Sequence, residues 1–137
     1  MGTVSLESRH LSTHVERAWQ DVYDYVAEPT HMIEWAPGLG TSIEPEGDAW
    51  VMDSPMGRIV VTFTPRNEFG VADHEVTVPS GETMYNPMRV VRDGDGCEVV
   101  FSVRRRAGMS DDDFDRDTKA VQADLDTLKR LMERTSA

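Results

Sequence analysis

The feature that most constrains this chain is its C-terminal apolar stripe. Phe114, Thr118, Val121, Leu125, Leu128 and Met132 recur at alternating steps of four and three, the spacing that places side chains on one face of an α-helix. Ser110 is a good N-cap, and Asp111, Asp112 and Asp113 put negative charge where the helix dipole favours it. Lys129, Arg130 and Arg134 match the dipole at the other end. About 24 residues at 1.5 Å each give a rod of roughly 36 Å. A one-sided rod of that length needs an apolar surface to lie across, and the rest of the chain must supply it.

The preceding residues supply a sheet. From Thr41 to Arg106, runs rich in Val, Ile, Phe, Thr and Trp alternate with turn signals. The turns fall at Pro45-Glu46-Gly47-Asp48, Ser54-Pro55-Met56-Gly57, Asn67 to Gly70, Pro79-Ser80-Gly81 and Asp93-Gly94-Asp95-Gly96. Their spacing of roughly 10–15 residues suits hairpins and is too short for βαβ crossovers, so the sheet is expected to be antiparallel. Upstream, Val4 to Leu11 alternates as a half-buried strand. Thr13 and Glu16 then offer a capping box, and Val15, Ala18, Trp19, Val22 and Val26 predict a helix over residues 14–27 with Trp19 in the core. Pro29 ends it. The stretch Pro29 to Leu39 carries Met32, Ile33, Trp35 and Leu39 among Pro37, Gly38 and Gly40, which suits a short helical turn and a loop tucked against a cavity.

These elements predict an α+β chain, residues 1–137 as one domain. Its curved antiparallel sheet has about seven strands, two short helices follow strand 1, and the long helix lies across the sheet. Composition narrows the function classes. The net charge of −11 disfavours a nucleic-acid backbone, and the single basic run Arg104-Arg105-Arg106 is followed five residues on by Asp111-Asp112-Asp113. The lone Cys97 excludes an internal disulfide. No signal peptide and no apolar run of membrane-spanning length is visible, so a cytoplasmic location is expected.

The motifs Val15-Glu16-Arg17-Ala18-Trp19, Trp35-Ala36-Pro37-Gly38, Ser54-Pro55-Met56-Gly57-Arg58, Asn67 to His74, Pro87-Met88-Arg89-Val90-Val91 and Gly108-Met109-Ser110 leading into Asp124 to Lys129 carry a family resemblance. With this element order, the chain resembles the START-like or Bet v 1-like (SRPBCC) superfamily, in particular its bacterial polyketide-cyclase and lipid-transport-like members. The resemblance implies a helix-grip fold with a cavity between sheet and long helix, and it covers nearly the whole chain. That fold hosts carriers, cyclases and chaperone regulators alike, so function rests on the site.

His74 is the leading site residue. Alternation places Ala72, His74, Val76 and Val78 on the inner face of one strand and Asp73 on the outer, which argues against an Asp–His dyad. An inward histidine can act as acid or base, or it can be a buried ring satisfied by one hydrogen bond. In the strand Thr83 to Val91, Met84, Asn86, Met88 and Val90 share the face expected to line the cavity, with Asn86 as a polar handle among adaptable methionines. Pro87 marks a bulge or an edge there, which leaves the facing of Tyr85 and Arg89 open. Tyr25, Met32 and Trp35 are expected on the cavity rim. Phe63, Val76 and Phe101 are expected on its sheet side, and Phe114 and Thr118 on its helix side.

No metal site is expected, because His10 and His14 straddle the predicted strand–helix boundary and no HExxH run occurs. No cofactor is implied, since Gly38-Leu39-Gly40 lacks the helix and lysine of a phosphate loop. Cys97 reads as a small apolar strand residue. Three functions remain open: a carrier or sensor of a small apolar or aromatic molecule, a cyclase or dehydratase using His74 and Asn86, or an interaction module with a vestigial cavity. The chain is expected to act as a monomer or homodimer.

Overall fold

The computed structural model describes residues 7–134. The long helix forms as its stripe predicts. Helix α3 runs over Asp111–Arg134, and the Ser110 hydroxyl accepts from the Asp113 amide at 3.1 Å. Phe114, Leu125 and Leu128 are fully buried, each stabilising the fold by about 1.5–3 kcal/mol over an exposed position.

Among the described residues eight strands form, one more than the expected seven. They are β1 (Ser8–Val15), β2 (Ser42–Glu46), β3 (Ala49–Ser54), β4 (Gly57–Phe63), β5 (His74–Thr77), β6 (Thr83–Asn86), β7 (Met88–Asp93) and β8 (Gly96–Arg104). All pairings are antiparallel, in one ladder ordered β1-β8-β7 and another ordered β2-β3-β4-β5-β6. The extra strand arises at Pro87, which cannot donate to a ladder. It divides the expected strand Thr83 to Val91 into β6 and β7, and the chain passes from one ladder to the other there. The join is closed by backbone bonds from Ala72 to the Met88 carbonyl (2.8 Å), from Val90 to the Gly70 carbonyl (2.9 Å) and from Ser102 to the Pro87 carbonyl (3.0 Å). Gly70 is needed at that crossing. Its φ is +74°, and a Cβ would sit 2.2 Å from the Val90 carbonyl oxygen.

The N-terminal boundary corrects the reading of the sequence. Val4 and Leu6 lie outside the described residues, and the strand continues to Val15 instead of ending near Leu11. Thr13 and Val15 pair with Val99 and Cys97 of β8, so no capping box forms. The Glu16 amide donates instead to the Glu133 carboxylate of α3 at 2.9 Å. Long-range pairing of eight residues outweighs a local cap that contributes about 1 kcal/mol. Helix α1 starts only at Trp19 and ends at Val26. Val22 and Val26 are buried, and Trp19 is partly buried against the core. His10 and His14 accordingly both sit on β1.

After α1, Pro29 opens a 3-10 turn, Pro29–His31, followed by the single-turn helix α2, Met32–Trp35. These are the short helical turn and loop the sequence predicts. Met32 and Trp35 are buried. The C-terminal half of α3 presses Leu125, Leu128 and Met132 into a core shared with Val15, Val22, Val26 and Val99. Its middle, from Asp117 to Asp124, faces open space instead.

Candidate functional site

That space is a cavity of about 490 Å³ between sheet and α3, within the roughly 300–1,000 Å³ of small-molecule sites. The sheet contributes His74 and Val76 from β5, Met84 and Asn86 from β6, and Phe101 and Val103 from β8. Met32, Trp35, Ala36 and Leu39 close one end, and Val121 with Asp124 forms the helix wall. The mouth is polar, framed by Arg104 to Arg106 and Asp117.

The polar groups inside are few. His74 is 3% exposed, held between Phe63, stacked at 4.9 Å, and the edge of Phe101 at 5.8 Å. One ring nitrogen, Nδ1, meets the Ala72 carbonyl at 3.1 Å, so it carries the proton. Nε2 has no partner among the described residues. Burial pushes the imidazole below its ordinary 6.5, against the smaller opposing effects of the Ala72 carbonyl and the Asp73 charge. The ring is therefore neutral at pH 7, with an acceptor free for a ligand. Asn86 is directly opposite His74 in the β5–β6 register, and both line the cavity. A ligand hydroxyl or carbonyl thus meets an acceptor and an amide side by side.

Asp73 and His74 form no dyad. The Asp73 carboxylate lies across the strand, accepting from Arg89 Nε (2.9 Å) and Nη2 (2.8 Å), from the Met88 amide (2.8 Å) and from the Tyr85 hydroxyl. Burial alone would raise its pKa, but these bonds outweigh burial and hold it at about 2. The cluster fastens β5 to both sides of the Pro87 break. It also settles two side chains that the sequence leaves open. Arg89 is engaged outside the cavity, and Tyr85 lines the cavity while its hydroxyl is tied to Asp73. Asp73 itself is 2% exposed, although alternation assigns it to the outer face.

Of the residues read from sequence as cavity walls, the structure brings together Met32, Trp35, His74, Val76, Met84, Asn86 and Phe101. Five others lie elsewhere. Tyr25 stacks on His31 at 4.2 Å and donates to Glu34 at 2.5 Å. Phe63 backs the His74 ring without reaching the cavity. Met88 is fully buried in the core. Phe114 lies beneath the Arg9 guanidinium at 4.2 Å. Thr118 accepts from Arg9 at 3.2 Å and donates to the Phe114 carbonyl. In these last two the stripe of α3 packs on β1 before it reaches the cavity. Sequence reasoning missed several wall residues, among them Ala36, Leu39, Val103, Val121 and, most consequentially, Asp124. It follows Val121 by three positions and precedes Leu128 by four, a helical spacing that points to the flank of the stripe.

Three other features lie outside the cavity. A depression of about 230 Å³ on β2–β4 is lined by Glu44, Glu46, Asp53 and Arg58, and the Arg58–Glu46 ion pair spans it. His14, Asp93 and Glu98 place their ligand atoms within 4.8 Å of one another, a convergence the sequence does not reveal. Both imidazole nitrogens of His14 are already engaged, by Glu16 at 2.9 Å and Asp93 at 3.3 Å. Cys97 is fully buried, and burial with the nearby Asp93 charge pushes its thiol up to about 11.

Residues 8–133 match the family described as polyketide cyclase / dehydrase and lipid transport. The chain belongs to that family. Solved structures agree on the fold at low identity. XoxI from Bacillus cereus is 12% identical, with a TM-score of 0.74 over 93% of this chain and 96% of its own. Truncated norcoclaurine synthase from Thalictrum flavum is 18% identical, with a TM-score of 0.63 over 96% of this chain and 97% of its own. Ara h 8.0201 is 11% identical, with a TM-score of 0.69 over 96% of this chain and all of its own. A comparison with curated proteins gives no match. Among the described residues, no helix is long and apolar enough to cross a membrane.

Proposed function

We propose that this member of the polyketide cyclase and lipid-transport family is a cytoplasmic binding protein for a small apolar or aromatic molecule, held between the sheet and α3. The observation that supports this most is the cavity itself. It is a largely apolar space of about 490 Å³ in which a neutral, singly bonded His74 and Asn86 offer neighbouring polar handles on the sheet wall. Such sites take their affinity from apolar burial and their orientation from a few polar groups.

A second reading is favoured by one specific observation, the free Nε2 of His74 beside Asn86. In a cyclase or dehydratase, Nε2 would take a proton while Asn86 polarises a carbonyl. The interaction-module reading has less support, because the large exposed apolar side chains are scattered. Met56 and Tyr85 belong to the cavity lining, while Phe69 and Val91 stand apart from it.

Titration with the neutral fluorophore N-phenyl-1-naphthylamine tests the binding reading. It is expected to saturate at one molecule per chain. Ala120→Trp, at an exposed position on the helix wall, is expected to abolish binding while far-UV circular dichroism stays unchanged. Equal binding by both forms refutes the cavity as the site. His74→Gln separates the two readings. A carrier keeps its affinity, whereas an enzyme binds its substrate but loses turnover.

A further inference from the structure

Asp124 takes no part in the framework of the fold. Four other carboxylates of α3 are paired, Asp111 with Arg105, Asp113 with Arg116, Asp115 with Arg9 and Glu133 with Lys129, and the remaining three, Asp112, Asp117 and Asp126, are exposed to solvent. Asp124 is partly buried in the cavity wall, and no hydrogen bond or ion pair reaches it among the described residues. Removing a carboxylate from water without a partner is unfavourable. Burial alone raises its pKa from 3.8 to about 6, so at neutral pH it is mostly ionised and uncompensated.

The groups around the cavity do not neutralise it. His74 on β5 is held neutral by burial, and Tyr85 on β6 is bound to Asp73. Arg105 is committed to Asp111 at 2.7 Å and Glu7 at 3.7 Å. Arg106 lies 3.8 Å from Glu82 and contacts the Met84 sulfur. Arg104 ends β8 with its side chain exposed. On α3 itself the other charged residue at the cavity is Asp117, a second carboxylate. The helix side α2 contributes Met32 and Trp35, which carry no charge.

We propose that the cavity selects an amine: an aromatic or alicyclic body between Trp35, His74 and Phe101, with a protonated nitrogen held by Asp124. The apolar walls take the body as they would any hydrophobe, and Asp124 gains the counter-charge that the protein does not provide. The inference rests on the cavity being a binding site and adds the ligand class.

Isothermal titration at pH 7.5 with 1-naphthylmethylamine, 1-naphthalenemethanol and 1-naphthoate tests it. The three share a ring system and differ in charge. The amine is expected to bind about tenfold more tightly than the alcohol, as one charge-assisted hydrogen bond implies, and the naphthoate most weakly. In Asp124→Asn the amine and alcohol are expected to bind within about twofold of each other. An amine that binds the native protein no better than the alcohol, or a preference that survives in Asp124→Asn, overturns the proposal and leaves the cavity reading intact. Failure of all three probes to bind the folded protein overturns both.

Discussion

An unpaired carboxylate in an apolar wall costs stability, so replacing it should make the protein more stable. Asp124→Asn keeps the shape of the side chain and removes its charge. The carboxyl is raised from 3.8 to about 6, and about 1.36 kcal/mol per pH unit sets an upper limit near 3 kcal/mol for the cost at pH 8. Partial exposure lets solvent screen the charge, which lowers the expected gain to about 1–2 kcal/mol. The sign follows from the direction of the shift. Folding disfavours the charged form, so the cost is absent below the ordinary value of 3.8, grows as pH rises towards 6, and is full above it. Thermal denaturation followed by circular dichroism should show Asp124→Asn melting roughly 3–8 °C above the native protein at pH 8. At pH 4.5 the gain should fall to about a third of that. A gain of equal size at both pH values, or a loss at pH 8, would refute the reasoning, because either result means that Asp124 is not an uncompensated buried charge.

Asp73 is the opposite case. Asp73→Asn leaves Arg89 without its carboxylate at the Pro87 break, and because Arg89 is half-exposed and can be hydrated, urea denaturation should show a loss of about 1–2 kcal/mol; a change under about 0.5 kcal/mol would contradict the role of the cluster. Because Asp73 is held at about 2, below its ordinary 3.8, its contribution is complete above pH 3.8 and disappears as pH falls through 2. This acid-side loss should be missing from the Asp73→Asn variant. Gly70→Ala forces a Cβ to within 2.2 Å of the Val90 carbonyl in a left-handed backbone, and should cost more than about 2 kcal/mol by the same denaturation assay. The Cys97 thiol, fully buried and pushed up to about 11, should resist a thiol reagent such as dithionitrobenzoate at pH 8 until the protein is unfolded.

The parts of the fold legible in the sequence are those fixed by local chemistry. The stripe from Phe114 to Met132 fixes α3 because helical spacing is a property of neighbouring residues, and turns such as Asp93 to Gly96 are fixed by glycines that accept left-handed backbone. The start of α1 was hidden because two local signals competed with pairing to β8, more than 80 residues away. Alternation identified His74 and Asn86 as inward, but it could not divide an inner face between cavity and core. Met88 shares a face with Asn86 yet is packed solid, and Phe114 shares the stripe with Val121 yet packs beneath Arg9. Asp124 was overlooked for a related reason. On a helix carrying many acids, only the three-dimensional packing shows which one is drawn partly out of water in the cavity wall.

The most direct test of the binding account is native mass spectrometry of the purified protein under gentle ionisation, followed by extraction and identification of any co-purifying molecule. The account predicts an adduct of one small apolar or aromatic molecule per chain, released by N-phenyl-1-naphthylamine and absent from Ala120→Trp. A protein that emerges empty and also fails to take up N-phenyl-1-naphthylamine would contradict it.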